Sequence, residues 1–298
     1  MPNSGHGPVL AIGGFDGVHL GHQQIIGKAK ALAEKQKARA EVLTFDPLPA
    51  QLIHPDFTYV LTPLEEKAEL LVELGIDVVR VVRFDAATRL ESPVRFVSEH
   101  LLTLNPSAVV VGHDHRFGRG RDGDIGLLRR LLESRGVELE IVPEFLLLGV
   151  PVRSTRVREH LLMGHVRLAA ELLGRDYAIA GRVISGTSTG RELGYPTINL
   201  QLEEPEKLVP ADGVYAVRVD IEGSTRPAVL NIGHRPTFSG EKRSIEAHLF
   251  DCVLCQSPET AAVRFIQRLR PERKFPDPKS LSDQIGDDIV QARGLLAG

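Results

Sequence analysis

Cysteine is almost absent from this chain: its 298 residues hold two, Cys252 and Cys255. That count excludes a disulfide framework and fits a reducing cytoplasm. Long apolar runs are missing as well. The most apolar segments, Val78 to Phe84 and Phe145 to Val152, are short or broken by Arg, far below the roughly 18 residues a membrane span needs. Neither sign of charge dominates at a formal net charge of −3, and no Lys/Arg block of nucleic-acid-binding length occurs. A nucleic-acid partner is therefore not expected. The start, Met1-Pro2-Asn3-Ser4-Gly5, lacks the basic-then-apolar order of a secretory signal. There is no internal repeat, no low-complexity linker, and no GxxxxGK[ST] sequence, which excludes a P-loop kinase. What is present is ordinary for a soluble globular protein, 42% apolar and 25% charged, at a length that favours two domains.

The two halves differ in pattern. In the first, short apolar runs alternate with helical periods. Strand-like Val9 to Ile12, Ala40 to Phe45, Val78 to Val82, Ala108 to Val111 and Val137 to Val142 are separated by helical Gln23 to Lys37, Leu64 to Leu74, Val94 to Leu102 and Ile125 to Leu132. Strands apolar on both faces and alternating with helices predict a parallel α/β sheet covered on both sides. From Tyr177 onward the segments turn short and β-branched between Gly, Pro, Asp and Ser: Ile179 to Ile184, Thr197 to Leu200, Val214 to Ile221, Ala228 to Ile232, Ile245 to Phe250 and Ala262 to Ile266. These predict a small antiparallel barrel, closed by a helix over Leu281 to Leu296. A boundary is expected within Gly164 to Asp176, giving domains of 1–170 and 171–298.

Gly17-Val18-His19-Leu20-Gly21-His22 follows the first strand and opens the next helix. A helix N-terminus has unpaired N–H groups and a partial positive charge, so it suits an anion. Gly13, Gly14, Gly17 and Gly21 let backbone approach a phosphate, and two imidazoles there can donate hydrogen bonds to one gaining charge. A metal site from His19 and His22 is the weaker reading, since no carboxylate or Cys partner is evident nearby. Arg153-Ser154-Thr155-Arg156-Val157-Arg158 stands before a helix expected over Glu159 to Met163. Ser154 or Thr155 can cap that helix, while Arg156 and Arg158 can hold phosphate oxygens bidentately.

Together the two clusters resemble those of the HxGH nucleotidyltransferases, whose second signature has the form STxxR. The run from Ala11 to His22 looks specifically like the FMN adenylyltransferase half of bacterial bifunctional FAD synthetases. Thr44-Phe45-Asp46-Pro47 and Val111-Gly112-His113-Asp114-His115-Arg116-Phe117-Gly118 resemble two further motifs of that family. The resemblance implies a Rossmann-like sheet and attack by the FMN phosphate on the α-phosphorus of ATP. It places His19 and His22 at the transition state. Gly13, Phe15, Asp16, Gly21, Ser154, Thr155, Arg156 and Arg158 fall to ATP, and Asp46, Pro47 and Asp114 to the flavin. The sequence departs from the family at Leu48, where His is usual, at His115, where Phe is usual, and at Gly14, where Asn or Thr is common.

In the second half, Gly186 to Leu200 carries a glycine-rich loop and then a polar strand face. Thr197 and Asn199 lie two apart, so both point one way while Ile198 points the other. Hydroxyl and amide oxygens are hard ligands suited to Mg²⁺ with ATP phosphates. The stretch resembles the GRxLGxPTxN motif of riboflavin kinases, and Pro210 to Tyr215, Asn231 to Phe238, Glu246 to Leu249, Arg273 to Phe275 and Gln284 to Asp288 continue the match in order. The resemblance implies a six-stranded Greek-key barrel that phosphorylates the riboflavin 5′-hydroxyl. Glu246 would be the base, Thr197 and Asn199 the Mg²⁺ ligands, Gly190 and Gly194 at ATP, and Arg273 at the flavin. The whole chain thus reads as a cytoplasmic enzyme making FMN and then FAD with Mg²⁺ and ATP. Two rivals stand beside it: a chain whose adenylyltransferase half has weakened, and a flavin carrier without turnover.

Two motifs point elsewhere. Gly118 to Gly123 spells G-x-G-x-x-G, but His113 to Arg116 separate it from its strand, whereas a dinucleotide fingerprint turns directly off one. A loop closing over flavin or ATP is the better reading. Cys252 and Cys255 form a lone CxxC without a zinc-ligand partner pair, and no function is assigned to them.

Overall fold

The computed structural model describes residues 7–54, 56–184, 195, 197–237, 240–251 and 258–297. The chain divides into two compact units, Met1–Ser154 and Thr155–Gly298. That division falls ahead of the stretch expected from sequence. The helix Val166–Leu173, which ends on left-handed Gly174, buries Val166, Ala169, Leu172 and Leu173. It contacts two strands of the second unit, so these residues belong to the barrel's packing.

The first unit is a five-stranded parallel sheet of β1 (Val9–Ile12), β2 (Ala40–Asp46), β3 (Val78–Arg83), β4 (Ala108–Gly112) and β5 (Glu138–Val142), in the order β3-β2-β1-β4-β5. Alternate residues of β1 face opposite cores. Val9 and Ala11 pack with Ile26, Ala29 and Leu71, while Leu10 and Ile12 pack with Val97, Leu101, Leu128 and Leu132. Strand order reverses between β1 and β4, which opens a crevice at their carboxyl ends, the place where open α/β sheets bind ligands. The segment expected as one helix over Val94 to Leu102 is a short α-turn, Pro93–Phe96, that widens into a π-turn, Val97–Leu101. The widened turn buries Val97 and Leu101. A small hairpin of β6 (Leu146–Leu147) and β7 (Val150–Pro151) follows β5.

In the second unit, β8 (Tyr177–Ile184), β9 (Ile198–Leu202), β10 (Gly213–Ile221), β11 (Ser224–Thr237), β12 (Gly240–Leu249) and β13 (Thr260–Arg270) close an antiparallel barrel. Around it the order is β8-β9-β12-β11-β10-β13, so the β9-to-β10 and β12-to-β13 connections each pass two strands, as a Greek key requires. Helix Pro278–Leu296 lays Ala292 and Leu296 against Val214, Ala216 and Phe250. Among the described residues, no helix is long and apolar enough to cross a membrane.

Candidate active sites in the two units

In the first unit the chain leaves β1 through Gly13 and Gly14 and enters helix Leu20–Gln36 at an N-cap residue, His19. The His19 Nδ1 accepts the backbone N–H of His22 at 3.3 Å, which leaves the proton of the neutral ring on Nε2. The two imidazoles stack with ring centroids 3.6 Å apart, and Phe15 meets His22 edge-on at 5.3 Å. Gly21 admits this packing, since a Cβ there would lie 3.2 Å from the His19 ring. Among the described residues, Nδ1 of His22 has no hydrogen-bond partner. Burial above all, then His19 and Lys67, hold the His22 pKa well below the ordinary value. His22 is therefore a neutral imidazole near pH 7.

The loop itself is strained. Phe15, Gly17 and Val18 have φ of 48°, 81° and 42°, and a β-branched residue such as Val18 adopts a positive φ only when its surroundings over-determine it. Asp16 supplies much of that constraint. Its carboxylate, 5% exposed, accepts the N–H groups of Leu61 and Thr62 at 2.9 and 3.1 Å, while Thr62 Oγ1 accepts the Gly17 N–H at 2.9 Å. Phe15 is fully buried. Both residues thus hold the shape of the loop that the sequence associates with ATP. Ser154 does not cap a downstream helix as expected, because the helix begins at Ser154 and runs to Leu162. Its hydroxyl instead donates to the Asp16 carbonyl at 2.8 Å, fastening the two predicted clusters together. Thr155, Arg156 and Arg158 lie in the opening turns of that helix, beyond the division between the units.

The residues expected at the flavin in the first unit also lie at or past the carboxyl ends of strands. Asp46 ends β2 and precedes a cis bond to Pro47, and Asp114 follows β4. Leu48 is buried beside Gly14. The His115 ring stacks on Phe117 at 5.7 Å, and burial lowers its pKa to about 4. The G-x-G-x-x-G stretch is a tight turn rather than a strand-to-helix fingerprint. Phe117 and Gly123 bridge across it, and Gly118, at φ 71°, leaves no room for a Cβ against Pro93. One residue that sequence reasoning missed lies beneath this region: Lys67, 2% exposed.

The second unit holds a cavity of about 310 Å³, within the usual range for small-molecule sites. Glu246, Thr197, Asn231, His248, Arg270 and Arg273 are among its polar lining, with Val214, Val229, Phe275, Leu281 and Ile285 among its apolar walls. Strand register puts Glu246 of β12 directly opposite Asn231 of β11 and Asn199 of β9, so the three project from one sheet face. Glu246 is buried, and Thr197 and Asn199 are half-buried at the start of β9. The wall is braced by Arg270, whose guanidinium forks onto the buried Asp288 carboxylate at 2.8 to 3.1 Å. Gln284 donates to the same carboxylate and accepts from Arg273, whose guanidinium also lies over the Phe275 ring. The alternation of β9 made Thr197 and Asn199 legible, whereas Asn231 became a neighbour of Glu246 only through strand register. Gly190, Gly194, Cys252 and Cys255 lie outside the described residues.

Comparison with known proteins matches each unit to a known family. A family model described as FAD synthetase matches residues 1–156, and one described as riboflavin kinase matches residues 173–296. Three curated relatives carry the name bifunctional riboflavin kinase/FMN adenylyltransferase. The one from Listeria monocytogenes is 36% identical over 97% of this chain and 92% of its own length. Those from Bacillus subtilis and Escherichia coli are each 37% identical, covering 95% and 96% of this chain and 91% and 92% of theirs. A crystal structure described as a macrolide-efflux protein from Streptococcus pneumoniae superposes with a TM-score of 0.89 at 30% identity, over 96% of this chain and 94% of that one. With a nucleotidyltransferase-like sheet bearing a stacked histidine pair and a kinase-like barrel bearing a buried glutamate, the chain belongs to the bifunctional riboflavin kinase/FMN adenylyltransferase family.

Proposed function

We propose that the two units divide two consecutive ATP-dependent steps. In the second unit the riboflavin 5′-hydroxyl attacks the γ-phosphorus of ATP, ADP leaves, and Glu246 takes the hydroxyl proton. The buried position of Glu246 in the cavity wall, opposite Asn199 and Asn231, is the observation that carries this assignment. Arg273 and Phe275 supply an aromatic and cationic edge for the flavin. Thr197 and Asn199 would hold Mg²⁺, since both offer neutral oxygen donors beside a carboxylate, a set that suits a hard cation. When bound, that ion neutralises phosphate charge.

In the first unit a phosphate oxygen of FMN attacks the α-phosphorus of ATP, the bond to the β-phosphate breaks, and pyrophosphate leaves. His19 and His22 donate hydrogen bonds to the phosphate as charge builds on it, and no covalent intermediate is required. The carrying observation is the stacked pair at a helix N-terminus, with His22 held neutral by burial. Gly13 and Gly21 leave backbone room for the phosphates. Thr155, Arg156 and Arg158 grip the leaving group, and Asp46, Pro47 and Asp114 shape the flavin side. A cytoplasmic setting belongs to the same proposal, supported by the cysteine-poor composition. Incubating the protein with riboflavin, ATP and Mg²⁺ tests the whole scheme by chromatography. FMN is expected first and FAD after it, and chelation of the divalent ion is expected to stop both. Flavin that is bound but never converted would support the carrier reading instead.

A further inference from the structure

Lys67 sits on helix Leu64–Glu73, where Leu64, Lys67 and Leu71 follow the i, i+3, i+7 spacing of a buried stripe. A lysine therefore fills an apolar slot, and it is 2% exposed. Its Nζ donates to the Phe45 carbonyl at 3.2 Å and to the Gly14 carbonyl at 3.4 Å. Those two carbonyls lie just past the point where β1 and β2 stop pairing. The last rung is the Gly13 N–H donating to the Leu43 carbonyl at 3.2 Å. Beyond it the two carbonyls are both acceptors and cannot bond each other, and the Lys67 ammonium, with three donors, bonds to both. The Thr44 hydroxyl assists by donating to the Gly14 carbonyl at 3.1 Å. The charges around Lys67 are the carboxylates of Asp16 and Asp46, and its own charge acts in turn on His22, which His19 also faces.

We propose that Lys67 is a positioning residue for adenylyl transfer: by tying the Gly14 and Phe45 carbonyls together, it sets the spacing between the phosphate loop after β1 and the flavin-side turn after β2. The proposal rests on the assignment of His19 and His22 to that reaction and of Asp46-Pro47 to the acceptor side. A misplacement on the ångström scale costs an in-line displacement heavily, while binding of each substrate alone survives it. Burial of the ammonium is tolerated because Asp16 and Asp46 oppose the desolvation that pushes its pKa down.

Two variants of the full chain test this. Lys67→Met keeps the stem and removes the donors, and Lys67→Gln restores a shorter, uncharged amide with two N–H donors. For Lys67→Met, kcat for FAD formation from supplied FMN is expected to fall by about 100-fold, with KM for ATP and for FMN changed less than about threefold. Lys67→Gln is expected to recover part of that loss, and both variants should make FMN from riboflavin at the parental rate. A Lys67→Met kcat within about threefold of the parent would overturn the proposal. So would loss of the first unit's melting transition in both variants, because Lys67 would then serve folding alone. His22→Ala, assayed in parallel, separates the two levels of inference. If it forms FAD at the parental rate, the site assignment fails and the proposal with it. If it does not while Lys67→Met does, only the role of Lys67 is refuted.

Discussion

Two imidazoles in the first unit are kept neutral by burial, and each leaves a different signature in pH. If His22 acts as proposed, its ring is neutral at pH 7 and stays so as pH falls past 6.5, so FAD formation should persist there and change only well below it. A kcat profile for that step between about pH 5 and about pH 8 checks this, and an acid limb centred at 6.5 would contradict it. His115 affects stability instead. Its folded pKa of about 4 lies below the unfolded value, so the unfolded chain binds the proton first. The stabilisation is complete above about pH 6.5 and is lost as pH falls toward about 4. His115→Phe should flatten that decline in calorimetric melts, and an unchanged slope would count against it. How far single residues were legible in the sequence depended on what surrounds them. His19 and His22 stood out because strand, glycines and helix start converge on six residues. Lys67 did not, because a lysine in an amphipathic helix ordinarily marks the solvated face. Only its place in the stripe between Leu64 and Leu71 gave it away.

Elements were easier to read than their ends, and the ends are where the sites lie. The helix expected over Glu159 to Met163 starts at Ser154, whose hydroxyl bonds the distant Asp16 carbonyl, a contact no local pattern encodes. Removing it by Ser154→Ala should loosen the loop after β1. The expected outcome is a several-fold rise in KM for ATP in FAD formation, with FMN formation unaffected, as steady-state kinetics of the two steps would show. In the barrel, helix Pro278–Leu296 is pinned to β13 by the Arg270–Asp288 fork. Asp288→Asn leaves the half-buried Arg270 guanidinium, 17% exposed, with a neutral partner and should cost about 1 to 3 kcal/mol of stability, since the hydrogen bonds lose their charge assistance. Riboflavin affinity should fall with it, because Arg270, Leu281 and Ile285 share the cavity wall. Thermal unfolding with and without riboflavin checks both effects, and an unchanged melting temperature would contradict the bracing role. The sequence showed the barrel strands through their turn residues, but not which strands pair. Register, which brings Glu246 to Asn199 and Asn231, is set by long-range closure.

At the scale of the whole molecule, one chain carries two folds, a parallel sheet with a helix N-terminus at its switch point and a closed antiparallel barrel. The change of hydrophobic period near Tyr177 made that organisation visible, since helices and strands bury apolar residues at different spacings. The exact division was hidden because Val166–Leu173 is an amphipathic helix that could have packed on either unit, and only its contacts with β8 and β13 assign it. The fold is shared with the chain described as a macrolide-efflux protein, and no described helix is long and apolar enough to cross a membrane. The central claim is that the histidine pair and the barrel glutamate serve separate, consecutive reactions. The most direct measurement is chromatography of flavins formed by His22→Ala and Glu246→Gln under Mg·ATP, each supplied in turn with riboflavin and with FMN. His22→Ala should accumulate FMN and make no FAD from either flavin, while Glu246→Gln should leave riboflavin untouched yet convert FMN to FAD. FAD formed from FMN by His22→Ala at the parental rate, or FMN formed from riboflavin by Glu246→Gln at the parental rate, would contradict the claim.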